Sequence, residues 1–283
     1  MLEGVANSSP SALTKRRIHL HTWKVAFLVL VLLVVIPLFI CFNLDLRQKA
    51  FPENHVRAMV TITMDDGTIG QYSYAFPVLR NRGIPATSFL VANRTEPSSP
   101  WYVSVSQALE MQSAGWEIGS HSRTHRDLTA LADQEIWDEV RGSKILFDSW
   151  GFNITSFAYP EGEYNARVLE IVSQSYNIAR GVSSSNQPYD FDYLTFENRY
   201  NKLGWVSHES MPGIKALIDQ TISENKWLIL GFHMFYSDGR ADECEDFPAI
   251  ADYIQAKVGS GKLKAVNLIQ GWDEWARSKK MNI

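Results

Sequence analysis

Three sets of residues in this 283-residue chain are of types that could act on a substrate. Asp65-Asp66-Gly67 sets two carboxylates side by side, His121 and His125 stand four residues apart, and His233 follows an apolar run. Singly, each is weak. Asp-Asp-Gly is a common turn sequence. With seven histidines, roughly 0.15 pairs at spacing four are expected by chance.

Together they contain the parts of a metal-assisted amide hydrolase. One carboxylate and two imidazoles suit Zn²⁺ or another divalent ion and leave positions open for water. The adjacent carboxylate would point elsewhere and could handle protons. The residues alone do not say which of Asp65 and Asp66 does which. A histidine from a later segment can protonate a leaving group.

These side chains converge only if the elements before them are parallel strands. Residues 58–64 form a β-branched run, 86–91 a second strand, 116–120 a third and 154–159 a fourth. Between them, 72–82, 104–114, 133–150 and 164–174 suit helices, several stopped by glycine. Further on, 177–181, 194–196 and 205–206 are short strand candidates, and 227–232 is a strong one. Helices are expected over 211–225 and 247–258, with a last strand over 264–268. Such alternation predicts an α/β fold, a distorted (β/α) barrel of about seven parallel strands. Asp65, His121 and His233 would then share the face at the strands' C-terminal ends, where barrel active sites lie.

Composition fits a folded chain, with 45% hydrophobic and 20% charged residues. Two cysteines, Cys41 and Cys244, exclude a disulfide scaffold and a Cys-rich zinc site. A net charge of −4 argues against nucleic acid as a partner. Charge is uneven: residues 1–50 carry six basic and two acidic side chains, and the rest carry 21 and 29.

The apolar run from Val25 to Phe42 is uncharged over 18 residues. As a helix it would span about 27 Å, close to the hydrocarbon thickness of a bilayer. It is longer than a signal-peptide core and lacks an A-x-A cleavage pattern, so it reads as an uncleaved anchor. The expected organisation is a basic cytoplasmic segment over 1–24, a transmembrane anchor over 25–42, a linker over 43–56 and a catalytic domain over 57–283. Four basic residues before the span against three after it favour a cytoplasmic N-terminus by one charge.

Four segments resemble one family. Thr63-Met-Asp-Asp-Gly67 is similar to the T-F-D-D-G motif of the NodB-type polysaccharide deacetylases, carbohydrate esterase family 4. His121-Ser-Arg-Thr-His125 matches the H-[ST]-x-x-H motif. Phe157-Ala-Tyr-Pro-Glu-Gly162 resembles the F-A-Y-P-x-G variant of a third, and Ile229-Leu-Gly-Phe-His233 a late Leu/His motif. The order and spacing agree over about residues 57–270.

The resemblance implies roles. Asp65 would be the general base and His233 the general acid. Asp66, His121 and His125 would hold a divalent metal, Zn²⁺ first, with Co²⁺ or Ni²⁺ as alternatives. Leu230 would line the acetyl pocket, and Pro160 would shape the loop whose next N–H, at Glu161, helps bind the oxyanion. Two departures stand out. Ala158 occupies a position where many relatives carry an arginine that tethers the base, and Arg199 is the expected replacement, with a plain surface arginine as the alternative. Glu161 stands where many relatives carry an aromatic. Tyr159, Trp101 and Trp272 could stack on sugar faces or serve as packing.

The reading is a membrane-anchored, metal-dependent hydrolase that removes N-acetyl groups from an amino-sugar polysaccharide or oligosaccharide outside the cytoplasm. The alternatives are a deformylase or deacylase of a lipid-linked sugar, and a catalytically silent, membrane-anchored glycan-binding module.

Overall fold

The computed structural model describes residues 58–95, 99–181, 199–200, 211–233 and 247–280. The chain divides into two units, Met1–His55 and Val56–Ile283, and every described residue lies in the second. Among the described residues no helix is long and apolar enough to cross a membrane. The expected segments 1–24, 25–42 and 43–56 and the strand candidates at 194–196 and 205–206 lie outside them.

Eight strands are described: β1 Met59–Met64, β2 Ala86–Leu90, β3 Glu117–Ser120, β4 Ser156–Ala158, β5 Ile178–Arg180, β6 Arg199–Tyr200, β7 Trp227–Phe232 and β8 Lys264–Ala265. All their pairings are parallel. They form one sheet in the order β5-β4-β3-β2-β1-β7-β6, and β8 pairs with the start of β1. Among the described residues β5 and β6 are not paired with each other, so the parallel barrel expected from the sequence is an open, curled sheet there.

Helices cross between the strands, as parallel pairing requires. They are α1 Phe76–Arg80, continuing a π turn over Gln71–Ala75, α2 Ala92–Thr95, α3 Val105–Ser113, α4 Asp133–Ser149 and α5 Ala166–Ser173. α6 Met211–Ser223, α7 Phe247–Gly259 and α8 Leu268–Lys280 follow. Local signals set their ends. Ser104 and Gln107 form a capping box at α3, and the Asn165 side chain accepts the Val168 N–H at α5. In α4, Ile136, Val140, Ser143 and Phe147 recur at helical spacing and are all buried.

β1 and β7 are buried along their whole length, as expected of strands covered on both faces. Val60, Ile62, Met64, Leu228, Leu230 and Phe232 belong to the cluster shared with the helices. Met59, Phe89, Ala158, Ile178, Trp227 and Ile229 form a second cluster inside the curl with α8. That helix is a correction: the sequence reading expected a strand to run on to residue 268. Instead Asn267 and Gln270 exchange backbone and side-chain hydrogen bonds at 3.0 and 3.2 Å and start a helix.

Glu117, at the start of β3, fastens this helix. Its Oε2 accepts the Ile269 N–H at 2.9 Å and the Thr87 hydroxyl at 3.0 Å, while Thr87 accepts the Leu268 N–H at 2.9 Å. Burial raises the Glu117 pKa above the usual carboxylate range.

Candidate metal and catalytic site

The site lies at the opposite end, where the strands run out. Asp65 follows β1, and its N–H donates to the Phe232 carbonyl at 3.0 Å. His121 follows β3, with its N–H on the Leu90 carbonyl at 2.8 Å. His233 follows β7. At Gly67 the backbone turns with φ +64°, and a Cβ there would come within 2.6 Å of Leu90 Cδ2. A side chain here would be strained in the turn and would have to displace the Leu90 side chain, and glycine avoids both.

Asp66, His121 and His125 each offer a ligand atom, and the three atoms lie within 4.8 Å of one another. His125 Nε2 is 3.1 Å from Asp66 Oδ1, and His121 Nε2 is 3.9 Å from it. The rings of His121 and His125 meet edge to face at 4.7 Å. His121 Nδ1 faces the Ala158 carbonyl at 2.8 Å, so it carries the proton and leaves Nε2 free as a donor to a cation. Burial lowers the His121 pKa, which favours the neutral, ligating form. At Asp66, burial opposes the charge. Hydrogen bonds from His125 and His233, with His121 close by, outweigh it and hold the carboxyl well below its ordinary range. One carboxylate oxygen and two imidazole nitrogens at these spacings fit a divalent ion of the Zn²⁺ type.

The loop that brings the two histidines together is held from α4. Glu139 is 4% exposed, and its Oε2 accepts the N–H groups of Arg123 and Thr124 at 3.1 and 2.8 Å. Its other oxygen accepts the Thr124 hydroxyl. The Ser122 hydroxyl accepts the His125 N–H at 3.0 Å. Asp66, Ser122, His125 and Glu161 all have φ between 59 and 69°. Such left-handed residues cost on the order of 1–3 kcal/mol each and gather at functional sites.

Around this cluster, His233 Nε2 lies 2.8 Å from Asp66 Oδ2. Arg94 on α2 reaches Asp66 Oδ1 at 3.1 Å. Pro160 is buried at the start of a short 3₁₀ turn, Pro160–Gly162. Glu161 in that turn is exposed, and its carboxylate stands 3.6 Å from His125 Nδ1.

Asp65 pairs with Arg180 at the end of β5, and its charge also acts on His121. Arg180 is 1% exposed, and its guanidinium lies over the Phe89 ring at 5.0 Å. Arg180 thus takes the tethering position expected from the sequence for Arg199, and the expectation for Arg199 itself falls outside the described side chains. The backbone of Arg199 forms β6 beside Trp227, and its side chain lies outside the described residues. Two further expectations change. Leu230 is buried on the helix-facing side of β7, and strand alternation puts Gly231 on the same side as His233. Tyr159 is 1% exposed, stacked on Tyr164 at 4.8 Å, and belongs to the core. Arg94, Glu139 and Arg180 escaped the sequence reading, because each lies outside the motifs and is tied to the site only by the fold.

Residues 53–176 match the family model described as Polysaccharide deacetylase. The match covers 124 of the 283 residues, and through that segment the likeness is to the NodB-type polysaccharide deacetylases. YxkH of Bacillus subtilis, a protein named for the same family, is 33% identical over 117 residues, covering 41% of each chain. PgdA of Listeria monocytogenes, a peptidoglycan-N-acetylglucosamine deacetylase, is 28% identical over 128 residues, covering 44% of this chain and 26% of its own. The chain thus spans less than half the length of either relative. The structure of the peptidoglycan deacetylase PdaC from Bacillus subtilis shares the fold, with a TM-score of 0.52 at 16% identity over 81% of this chain and 96% of that one.

Proposed function

We propose that the chain is a metal-dependent N-deacetylase of an amino-sugar glycan. The observation that carries this reading is the cluster of Asp66, His121 and His125 within 4.8 Å, with Asp65 and His233 at its edges. Water adds to the acetamido carbonyl carbon, the C–N bond breaks, and acetate and a free amine leave. Asp65 takes the proton from the attacking water, and its pairing with Arg180 holds that carboxylate in place. His233 gives a proton to the departing nitrogen. The turn at Pro160 presents the Glu161 N–H to the negative charge that develops on the carbonyl oxygen. A divalent ion held by Asp66, His121 and His125, Zn²⁺ first among candidates, would polarise that carbonyl and make water a stronger acid.

Peptidoglycan is the first substrate to test, because PgdA is named as acting on it. The apolar run 25–42 supports a single-pass anchor that holds the domain outside the cytoplasm. The same run favours the second reading, a deformylase or deacylase of a lipid-linked sugar. Acetate and formate release from peptidoglycan and acetylated amino-sugar oligosaccharides tests both. The expected result is acetate release that a chelator abolishes and a divalent metal restores. Glycan binding without turnover under any metal would leave only a binding module.

A further inference from the structure

We propose that Trp101 is the stacking platform of a flanking subsite, so that the site holds a second pyranose ring beside the one whose amide is cleaved. The proposal rests on the deacetylase reading for what is bound, and on the geometry of one loop for where.

Of the three aromatics that the sequence offered for stacking on sugar, two are used elsewhere. Tyr159 is in the core, and Trp272 stacks on Trp275 at 5.5 Å in the cluster around α8. Trp101 is 72% exposed. Its backbone is nevertheless fixed to the loop that carries Asp65 and Asp66. The Trp101 carbonyl accepts the Ile69 N–H at 2.8 Å, and the Val103 N–H donates to Gly67 at 2.8 Å. Between these bonds, Thr68 and Tyr102 form an antiparallel bridge. The Trp101 N–H donates to the Ser99 hydroxyl at 3.3 Å. Arg94 ties the same loop to the site from behind: its guanidinium lies over the Tyr102 ring at 5.3 Å while it contacts Asp66.

An exposed indole on a rigid backbone is prepared for binding, because little freedom remains to be lost. It presents a flat apolar face with one N–H at its edge. A pyranose ring has the matching form, with C–H groups across its faces and hydroxyls around its rim. The indole carries no charge and so favours a neutral sugar over an anionic group. Bilayer interfaces also attract tryptophan. The continuity of this loop with the catalytic one favours the glycan, and a vesicle arm of the test decides between them.

The test uses the full chain in detergent with metal supplied. Acetate release and tryptophan fluorescence are followed with a β-1,4-linked N-acetylglucosamine tetramer and with the monosaccharide. Trp101→Ala should raise KM for the tetramer about ten-fold while kcat falls far less, and should change the monosaccharide reaction much less. Trp101→Phe should recover most of the loss. The inference is overturned if KM for the tetramer does not move, or if both substrates suffer equally. It is also overturned if Trp101 emission responds to phosphatidylglycerol vesicles and not to the tetramer. Should the wild type release no acetate, the deacetylase reading fails by itself. Tetramer binding, read by fluorescence, still decides the role of Trp101: an affinity that Trp101→Ala lowers supports it, and absent or unaltered binding rejects it.

Discussion

The guanidinium of Arg180 pairs with Asp65 from the strand position directly beside Ala158. Ala158 and Arg180 are register partners on adjacent parallel strands. Partners in register point to the same face of the sheet. A cation can therefore move from one strand to the next and still reach the same carboxylate. The Arg180 guanidinium lies over the Phe89 ring at 5.0 Å as it reaches that carboxylate.

This relationship predicts unequal effects for two arginines. Arg180→Met breaks a buried ion pair, which costs about 3–5 kcal/mol because the remaining charge has no partner. Thermal unfolding should show a fall of that order. Arg180→Lys keeps the charge but not the planar fork, and misplacement of Asp65 should cost about 10²-fold in turnover. Arg199→Ala should leave both nearly unchanged. If Arg199→Ala inactivates the protein and Arg180→Lys does not, the tether has been assigned to the wrong residue.

Glu139 tests the support of the histidine loop. Its carboxylate holds the backbone of Arg123 and Thr124, between the two histidines, and touches neither ring. Groups that orient metal ligands are typically worth about 10–100-fold in affinity. Glu139→Ala should weaken zinc binding by that factor in a competition titration. Glu135→Ala, on an exposed part of the same helix, should not. Equal affinities in the two variants would remove Glu139 from the site.

The motif residues were legible because each ends a strand whose burial pattern is strong. Asp65, His121 and His233 follow β1, β3 and β7, and parallel topology brings such ends together. What was not legible depends on lateral register and on side-chain direction. Arg180 lies in a short strand, and nothing local marks its neighbour as Ala158. The motif resemblance implied a pocket role for Leu230, whereas alternation along β7 turns it toward the helices. The helix over Leu268–Lys280 was missed because its start depends on Asn267 and on Glu117, 152 residues away from Ile269.

Glu117 should leave a mark on the pH dependence of stability. Its pKa is raised in the folded protein, chiefly by burial. The folded state therefore binds this proton more tightly than the unfolded chain does. Its contribution is complete below the ordinary glutamate value and is lost as pH rises through the raised value. Glu117→Gln keeps an oxygen for the Ile269 N–H and cannot titrate. Between those two values, the melting temperature of the wild type should decline with pH relative to Glu117→Gln. Parallel curves across the range would show that Glu117 does not titrate on unfolding.

The last prediction separates the two adjacent aspartates. Asp66 faces three imidazoles, whereas Asp65 faces Arg180, so the chain turns them into different surroundings within one peptide unit. A metal ligand is needed for occupancy, and a general base only for moving a proton. Removal of a general base typically costs about 10²–10⁴-fold in rate. Asp65→Asn should keep a full complement of metal and lose turnover within that range. Asp66→Asn should lose both, because the two histidines alone make a weak site and the nearby Arg94 disfavours a cation once the carboxylate is gone. Metal stoichiometry and turnover, measured on the same preparations, decide the matter. Metal loss in Asp65→Asn with retention in Asp66→Asn reverses the two roles. Activity in both variants would sink the roles given to Asp65 and Asp66, since the remaining carboxylate in the motifs, Glu161, lies beside Nδ1 of His125 and not on Asp66's side of that ring.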